Sequence, residues 1–281
     1  MPKRFIKRNI QCFICVVCIF GLVGNGAVIW LLGLRTPFTT YVLHLAVADY
    51  GVLESSVSEA VFNTIEIHPS VISLAFCLYA VNGSLFHAVY STSQFLLTAI
   101  SIDHCVFVLF PLWYRCHQPE KLSTFLCALI WLLSFLVQGI CLGFNFMWTP
   151  RYYPLEFYAF LVNSVVCLPL ITVSTLILFV RFCFKSQQNQ QGKLITTILL
   201  TLFFLIFAFP LNVIYLITFN PRSSPKDLFN LQRYDVAEYG WLCASLNSFV
   251  NPLLYFLTRK KKRGLCRENL ILQSFQRGRS L

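Results

Sequence analysis

The sequence predicts an all-α membrane protein, a bundle of seven transmembrane helices followed by a short amphipathic surface helix at the C-terminus. Three observations predict it. Of the 281 residues, 57% are hydrophobic and only 12% charged, more apolar surface than a soluble domain of this size needs. The apolar residues gather into seven stretches, each long enough to cross a hydrocarbon core of about 30 Å. The last stretch ends in Asn251-Pro252-Leu253-Leu254-Tyr255, and Thr258-Arg259-Lys260-Lys261-Lys262-Arg263 follows almost at once, the composition of a cytoplasmic membrane flank.

In order, the stretches run near 10–34, 39–63, 72–108, 122–147, 155–183, 194–219 and 235–257. The chain therefore divides into a short extracellular N-terminus, 1–9, a seven-helix domain, 10–257, and a cytoplasmic surface helix and tail, 258–281. No small-residue cleavage site accompanies the first ten residues, so the first stretch reads as a retained helix rather than a signal peptide. The third is the longest, which implies tilt or extension past the bilayer into Pro111-Leu112-Trp113-Tyr114. In the seventh, the Asn-Pro step removes a backbone hydrogen bond where no water can replace it, the mark of a bend or a switch. Beyond it, Phe256, Leu257, Leu265, Leu270 and Leu272 alternate with basic residues as in a surface helix, and Cys266 is available for acylation or remains a free thiol.

Seven spans place the termini on opposite sides. With the basic tail inside, the N-terminus is outside, and Arg35, Arg115, Lys121, Arg181, Lys185 and Lys193 are cytoplasmic. Lys3, Arg4, Lys7 and Arg8 run against this tendency, so later helices must override them or the true start lies elsewhere.

The net charge of +11 does not signal nucleic acid, because the basic residues sit in short loops and a tail where membrane orientation explains them. Catalytic fingerprints are missing from the loops, and Gly21-Leu22-Val23-Gly24 lies within a span. No enzyme is expected. A transporter is a stronger rival, since Asp49, Glu54 and Glu59 lie inside a span; it predicts two matching halves, and the seven spans carry unlike polar markers.

Those markers are informative because a charge at mid-membrane costs about 2.5–3.5 kcal/mol on insertion scales. Asn25 in Gly24-Asn25-Gly26, Asp49 in Leu45-Ala46-Val47-Ala48-Asp49, and Ser93, Asn247, Ser248 and Asn251 fall near mid-membrane or just inward. They are candidates for one hydrogen-bonded cavity around Asp49, an ion- or water-filled switch pocket. The plainer reading makes Asp49 a satisfied core residue.

In chain order, Gly24-Asn25-Gly26, Leu45 to Asp49, Trp131, Phe207-Ala208-Phe209-Pro210 and Asn251 to Tyr255 resemble the pattern of rhodopsin-like (class A) G-protein-coupled receptors. The resemblance covers essentially the whole chain. Pro37-Phe38-Thr39, the run Thr98 to Cys105 and Phe110-Pro111-Leu112-Trp113-Tyr114-Arg115-Cys116 are similar to the Mas-related subfamily, which has an acid-Arg-Cys step and a Pro-aliphatic-Trp-Tyr-Arg-Cys loop.

The resemblance implies a plasma-membrane receptor that passes ligand binding to a heterotrimeric G protein. It adds Phe204, Pro210 and Tyr255 to the switch around Asp49, with sodium as a candidate ion there and no other cofactor. Asp103, His104, Tyr114 and Arg115 become the G-protein-facing set. His104 stands where the family has arginine, and it is shorter and only partly protonated near neutrality. Coupling is weaker, pH-sensitive or lost, or else the change is neutral because other loop contacts suffice. Ala208 replaces the usual sixth-helix tryptophan and Ile177 the fifth-helix tyrosine, so the packing trigger differs, while Phe204, Pro169 and Pro210 remain.

Most of the twelve cysteines lie within spans and form no disulfide framework. Cys12, Cys15 and Cys18 lack neighbouring His or acid partners and read as small apolar filler. The loop Thr149–Pro154 has no cysteine for the bridge to the third helix that the wider family uses. Cys141 and Cys167 are candidates for the fourth-to-fifth-helix bridge of the Mas-related subfamily, although Cys167 lies deep.

Phe86 occupies the position of the amine-anchoring aspartate, which disfavours an aminergic ligand. Seven of the eleven acids fall on the outer half. Asp235 and Glu238 share a helix face that Trp241 extends inward, and with Glu59, His87, Glu156 and Tyr215 they outline an acidic, aromatic mouth for a cationic peptide or small cationic amphiphile. The alternative is that Arg151, Arg222, Lys226 and Arg233 neutralise those acids. The expected partners are this ligand, a G protein and membrane lipid, and not nucleic acid. An atypical, weakly coupled or non-signalling receptor is the second reading, and a transporter the third.

Overall fold

The computed structural model of the chain describes residues 2–33, 40–64, 72–112, 114, 121–147, 154–184, 212–213, 239–253 and 255–256. Five long helices carry most of them: α1 (Pro2–Leu32), α2 (Thr40–Thr64), α3 (Ile72–Leu109), α4 (Leu122–Met147) and α5 (Pro154–Phe184). Residues 239–253 are also helical. Helix is what hydrocarbon dictates, because each backbone N–H and C=O must find its partner within its own segment.

Four of these helices contain stretches long and apolar enough to cross a membrane, Arg8–Leu32, Cys77–Leu109, Leu122–Phe144 and Phe160–Leu178. The fifth, α2, is 25 residues long and contains Asp49, Glu54 and Glu59; packing on α1 and α3 along its length supports it. At 38 residues, α3 extends about 57 Å, nearly twice the thickness of a hydrocarbon core. It contacts α2, α4 and α5 and so forms the centre of the bundle.

The helical boundaries follow the apolar pattern closely, with one difference. The first helix begins at Pro2 rather than near residue 10, so the basic residues ahead of the first span continue the helix instead of preceding it. Lys and Arg are good helix formers, and apolarity marks where a helix enters lipid, not where it starts. Of the sixth span only 212–213 are described, and both are helical; the expected surface helix over 258–281 lies outside the described residues.

Two apolar layers account for most of the clustered core among the described residues. The inner one joins Tyr41, Leu45 and Ala48 of α2 to Leu96, Leu97 and Ile100 of α3, Cys127 of α4, and Cys167 and Ile171 of α5. The outer one joins Val52, Phe86, Val89, Tyr90, Phe160 and Ala244. Two glycines let α1 approach closely: a Cβ at Gly21 would come within 2.7 Å of Leu53 and 3.5 Å of the Phe249 backbone, and one at Gly24 within 3.1 Å of the Pro252 ring. In contrast, α4 turns Phe125, Leu132, Leu133, Leu136 and Phe144 outward, the face that lipid covers.

Pro169 lies inside α5, where it cannot donate to the preceding turn. Close by, Thr172 Oγ1 donates to the carbonyls of Leu168 (2.8 Å) and Pro169 (2.9 Å), a local bond that favours bending.

Candidate functional site

Asp49 is completely buried, and three side chains from distant parts of the chain converge on it. Ser93 Oγ of α3 donates to Oδ1 at 2.8 Å, Ser248 Oγ donates to the same oxygen at 3.0 Å, and Asn251 Nδ2 donates to Oδ2 at 2.6 Å. Hydrogen bonds to a charged group contribute about 1.5–3 kcal/mol each, so the three together offset much of the cost of enclosing a carboxylate. Asn25 Nδ2 donates to the carbonyls of Gly21 (3.0 Å) and Ser248 (3.1 Å), tying α1 to the stretch that carries two of the donors. Four helical segments thus meet around mid-bundle through Asn25, Asp49, Ser93, Ser248 and Asn251.

Other members of the expected pocket sit differently. Asn247 is buried, but its neighbour Ser248 makes the bond to Asp49. Tyr255 packs with Val28, Leu32 and Ala46 nearer the inner end and meets Phe256 edge-on at 5.6 Å. Phe204 and Pro210 lie outside the described residues.

On the outer half, Glu59 and His87 are both buried. Glu59 Oε1 accepts from Asn63 Nδ2 at 3.2 Å, and the His87 ring lies edge-on to Phe160 of α5 at 5.0 Å. Next to it, Phe86 contacts Trp241 with ring centroids 3.9 Å apart and stacks on Tyr90 at 5.8 Å. Trp241 also packs beside Ile14 and Leu53. An aromatic layer therefore runs from α5 across α3 to the last helix. Phe86 and Tyr90, four residues apart on one helix face, are the sequence signal for it. Glu156 falls in α5, but its side chain, like Tyr215, Asp235 and Glu238, is outside the described residues.

At the inner end, the Tyr114 hydroxyl donates to the Asp103 carboxylate, 3.0 Å from each oxygen. The Tyr114 ring meets Phe107 edge-on at 5.3 Å, and its backbone N–H reaches the Phe110 carbonyl at 2.9 Å. A turn of helix continues beyond α3 and folds its tyrosine back onto the acid. His104 is half-buried beside Asp103; Arg115 and Cys266 are outside the described residues.

The cysteine expectation is corrected in one respect. Cys167 is a free thiol, enclosed in the inner layer with Cys127 and Leu96, so it forms no bridge to Cys141. Cys18 is buried and contacts Ser245 Oγ at 3.5 Å, the behaviour of a small core residue.

Residues 24–255 match the family 7 transmembrane receptor (rhodopsin family). Mas-related G-protein coupled receptor member H of Rattus norvegicus is 35% identical over 263 residues, 91% of this chain and 78% of the relative. Mas-related G-protein coupled receptor member D of Macaca fascicularis is 34% identical, covering 87% and 77%. Proto-oncogene Mas of Rattus norvegicus is 31% identical, covering 89% and 77%. The chain belongs to the rhodopsin-family receptors of Mas-related type. The protein is thus a seven-helix, multi-pass plasma-membrane receptor of the G-protein-coupled class, and it is not an enzyme.

Proposed function

We propose that the receptor takes a cationic peptide or small cationic amphiphile at its outer mouth and transmits occupancy through the Asp49 cluster to a heterotrimeric G protein. The observation that carries this reading is the convergence of Ser93, Ser248 and Asn251 on one buried carboxylate, which couples the second, third and seventh helices. Ligand contacts favour one of two bundle states. The transition repacks the Asn251-Pro252 segment around Asp49 and opens the sixth helix at Pro210, with Phe204 as its inner packing element.

In the mouth, Glu59, Glu156, Asp235 and Glu238 supply negative charge, and His87, Tyr215 and Trp241 supply rings for a cation to rest on. The aromatic contact between Phe86 and Trp241 supports this reading by giving the mouth a floor. The N-terminus is extracellular and the C-terminus cytoplasmic. Cys266 is acylated and holds the tail against membrane lipid.

A sodium ion suits the Asp49 pocket as an allosteric modulator. The carboxylate supplies charge, and Ser93 and Ser248 supply hydroxyl oxygens that can turn their lone pairs to a hard cation.

His104 supports a second reading, an atypical receptor with weak or no coupling. Both readings are tested by measuring G-protein activation in cells expressing the receptor, without ligand and with a panel of basic peptides, beside His104→Arg. Activation by the original chain establishes a coupled receptor; activation only after His104→Arg establishes the atypical one; basic peptides that act on neither remove the cationic-ligand assignment.

A further inference from the structure

One turn inward of the Phe86–Tyr90 stack, α3 presents three polar side chains to three different neighbours. Ser91 Oγ accepts from Asn163 Nδ2 of α5 at 2.8 Å, Ser93 donates to Asp49 at 2.8 Å, and Gln94 Oε1 accepts from Asn212 Nδ2 at 3.4 Å. The first two bonds are short. The third is stretched to the edge of hydrogen-bonding distance.

Gln94 is 0% exposed and Asn212 1% exposed. Gln94 Nε2 and Asn212 Oδ1 have no hydrogen-bond partner among the described residues. Two facing carboxamides have the capacity for a reciprocal pair of bonds, and here only one side is joined. Turning both amides over exchanges donor for acceptor and leaves the same shortage, one N–H and one carbonyl.

Leaving both groups unmatched in a closed interior costs more than the single long bond returns. A small group that accepts from Gln94 Nε2 and donates to Asn212 Oδ1 satisfies both at once. Water does this with one hydrogen bond to each side chain. We propose that Gln94 and Asn212 hold an internal water that bridges α3 to the sixth span.

The bridge makes the contact between these helices adjustable, because a water-mediated bond can lengthen or re-form without a side chain leaving its rotamer. This is a wet joint in the helix that carries Ala208 instead of a bulky ring. It does not depend on which ligand or G protein the receptor uses.

The test is the thermal-unfolding midpoint of purified receptor in lipid nanodiscs, a readout independent of signalling. Asn212→Leu and Gln94→Leu each strand the water and the opposite amide, so each lowers the midpoint by roughly 2–4 °C. The double variant removes both polar groups and falls by less than the sum. Asn212→Gln lengthens the side chain into the water's place, meets Gln94 directly and holds the midpoint. Asn212→Gln falling as far as Asn212→Leu means there is no room for a water, and the proposal is overturned. Additive single effects, or leucine variants with an unchanged midpoint, overturn it equally. If the leucine variants do not fold, Asn212→Ser and Asn212→Ala replace them. Serine keeps a group for the water and stays above alanine, and equal midpoints for the two reject the bridge.

Discussion

Asn251 donates to Asp49 at 2.6 Å across 202 residues of chain, joining the Asn-Pro step of the last helix to the acid of the second. The bond ties the proline step of one helix to a fully buried acid of another. Asn251→Ala leaves the carboxylate with two donors and should cost about 1.5–3 kcal/mol, read as a lower unfolding midpoint of purified receptor. Asn251→Asp should cost more, because it sets two acids in one closed pocket. Equal midpoints for the two variants would show that the acid is not confined there.

The glycines separate into tight and open positions, and alanine substitution distinguishes them. A Cβ at Gly24 would meet the Pro252 ring at 3.1 Å and one at Gly51 would meet Val89 at 3.0 Å, whereas Gly139 and Gly143 have nothing within 4 Å. A proline ring and a β-branched side chain yield little, so Gly24→Ala and Gly51→Ala should each cost about 1–3 kcal/mol through overpacking. Gly139→Ala and Gly143→Ala should be neutral, or stabilise by up to about 1 kcal/mol through helix propensity. Thermal unfolding of the four variants checks the order, and a loss at Gly143 as large as at Gly24 would contradict it.

Tyr114 makes two separable contacts, a hydrogen bond to Asp103 and a ring contact with Phe107. Tyr114→Phe removes the first and Tyr114→Ala both. Hydrogen–deuterium exchange at the end of α3 should rise modestly in the phenylalanine variant and further in the alanine variant. If phenylalanine leaves exchange at the parent level, the hydroxyl does not hold the turn.

His104 predicts a pH signature in reconstituted coupling. Histidine changes charge between about pH 5 and 8, and the cationic form is the one that resembles arginine. Nucleotide exchange on the G protein, measured with the inner-face pH varied, should therefore fall as pH rises in the original receptor and stay flat in His104→Arg. Parallel profiles would assign any pH dependence to another group.

The pocket around Asp49 is legible in the sequence because an acid inside an apolar run must find donors, and few polar residues lie at a compatible depth. Helix rotation is less legible. Asn247 and Ser248 are adjacent in sequence, about 100° apart around the axis, and only packing of the last helix on α1 and α2 selects Ser248. The aromatic layer of Phe86, Tyr90, Phe160 and Trp241 is hidden for a different reason. With 28 phenylalanines in the chain, ring composition does not distinguish rings that face one another from rings that face lipid. Gln94 and Asn212 escape notice because neither carries charge, although their burial is as demanding.

The acids of α2 bear on how the receptor is made. Asp49 enters the membrane early in synthesis, but two of its three donors, Ser248 and Asn251, belong to the last span. Until that span arrives, the carboxylate has Ser93 alone among these partners. A nascent or truncated chain ending before residue 248 therefore carries an under-satisfied acid within lipid. The same residue that links the finished helices is thus the one that an unfinished chain leaves short of donors.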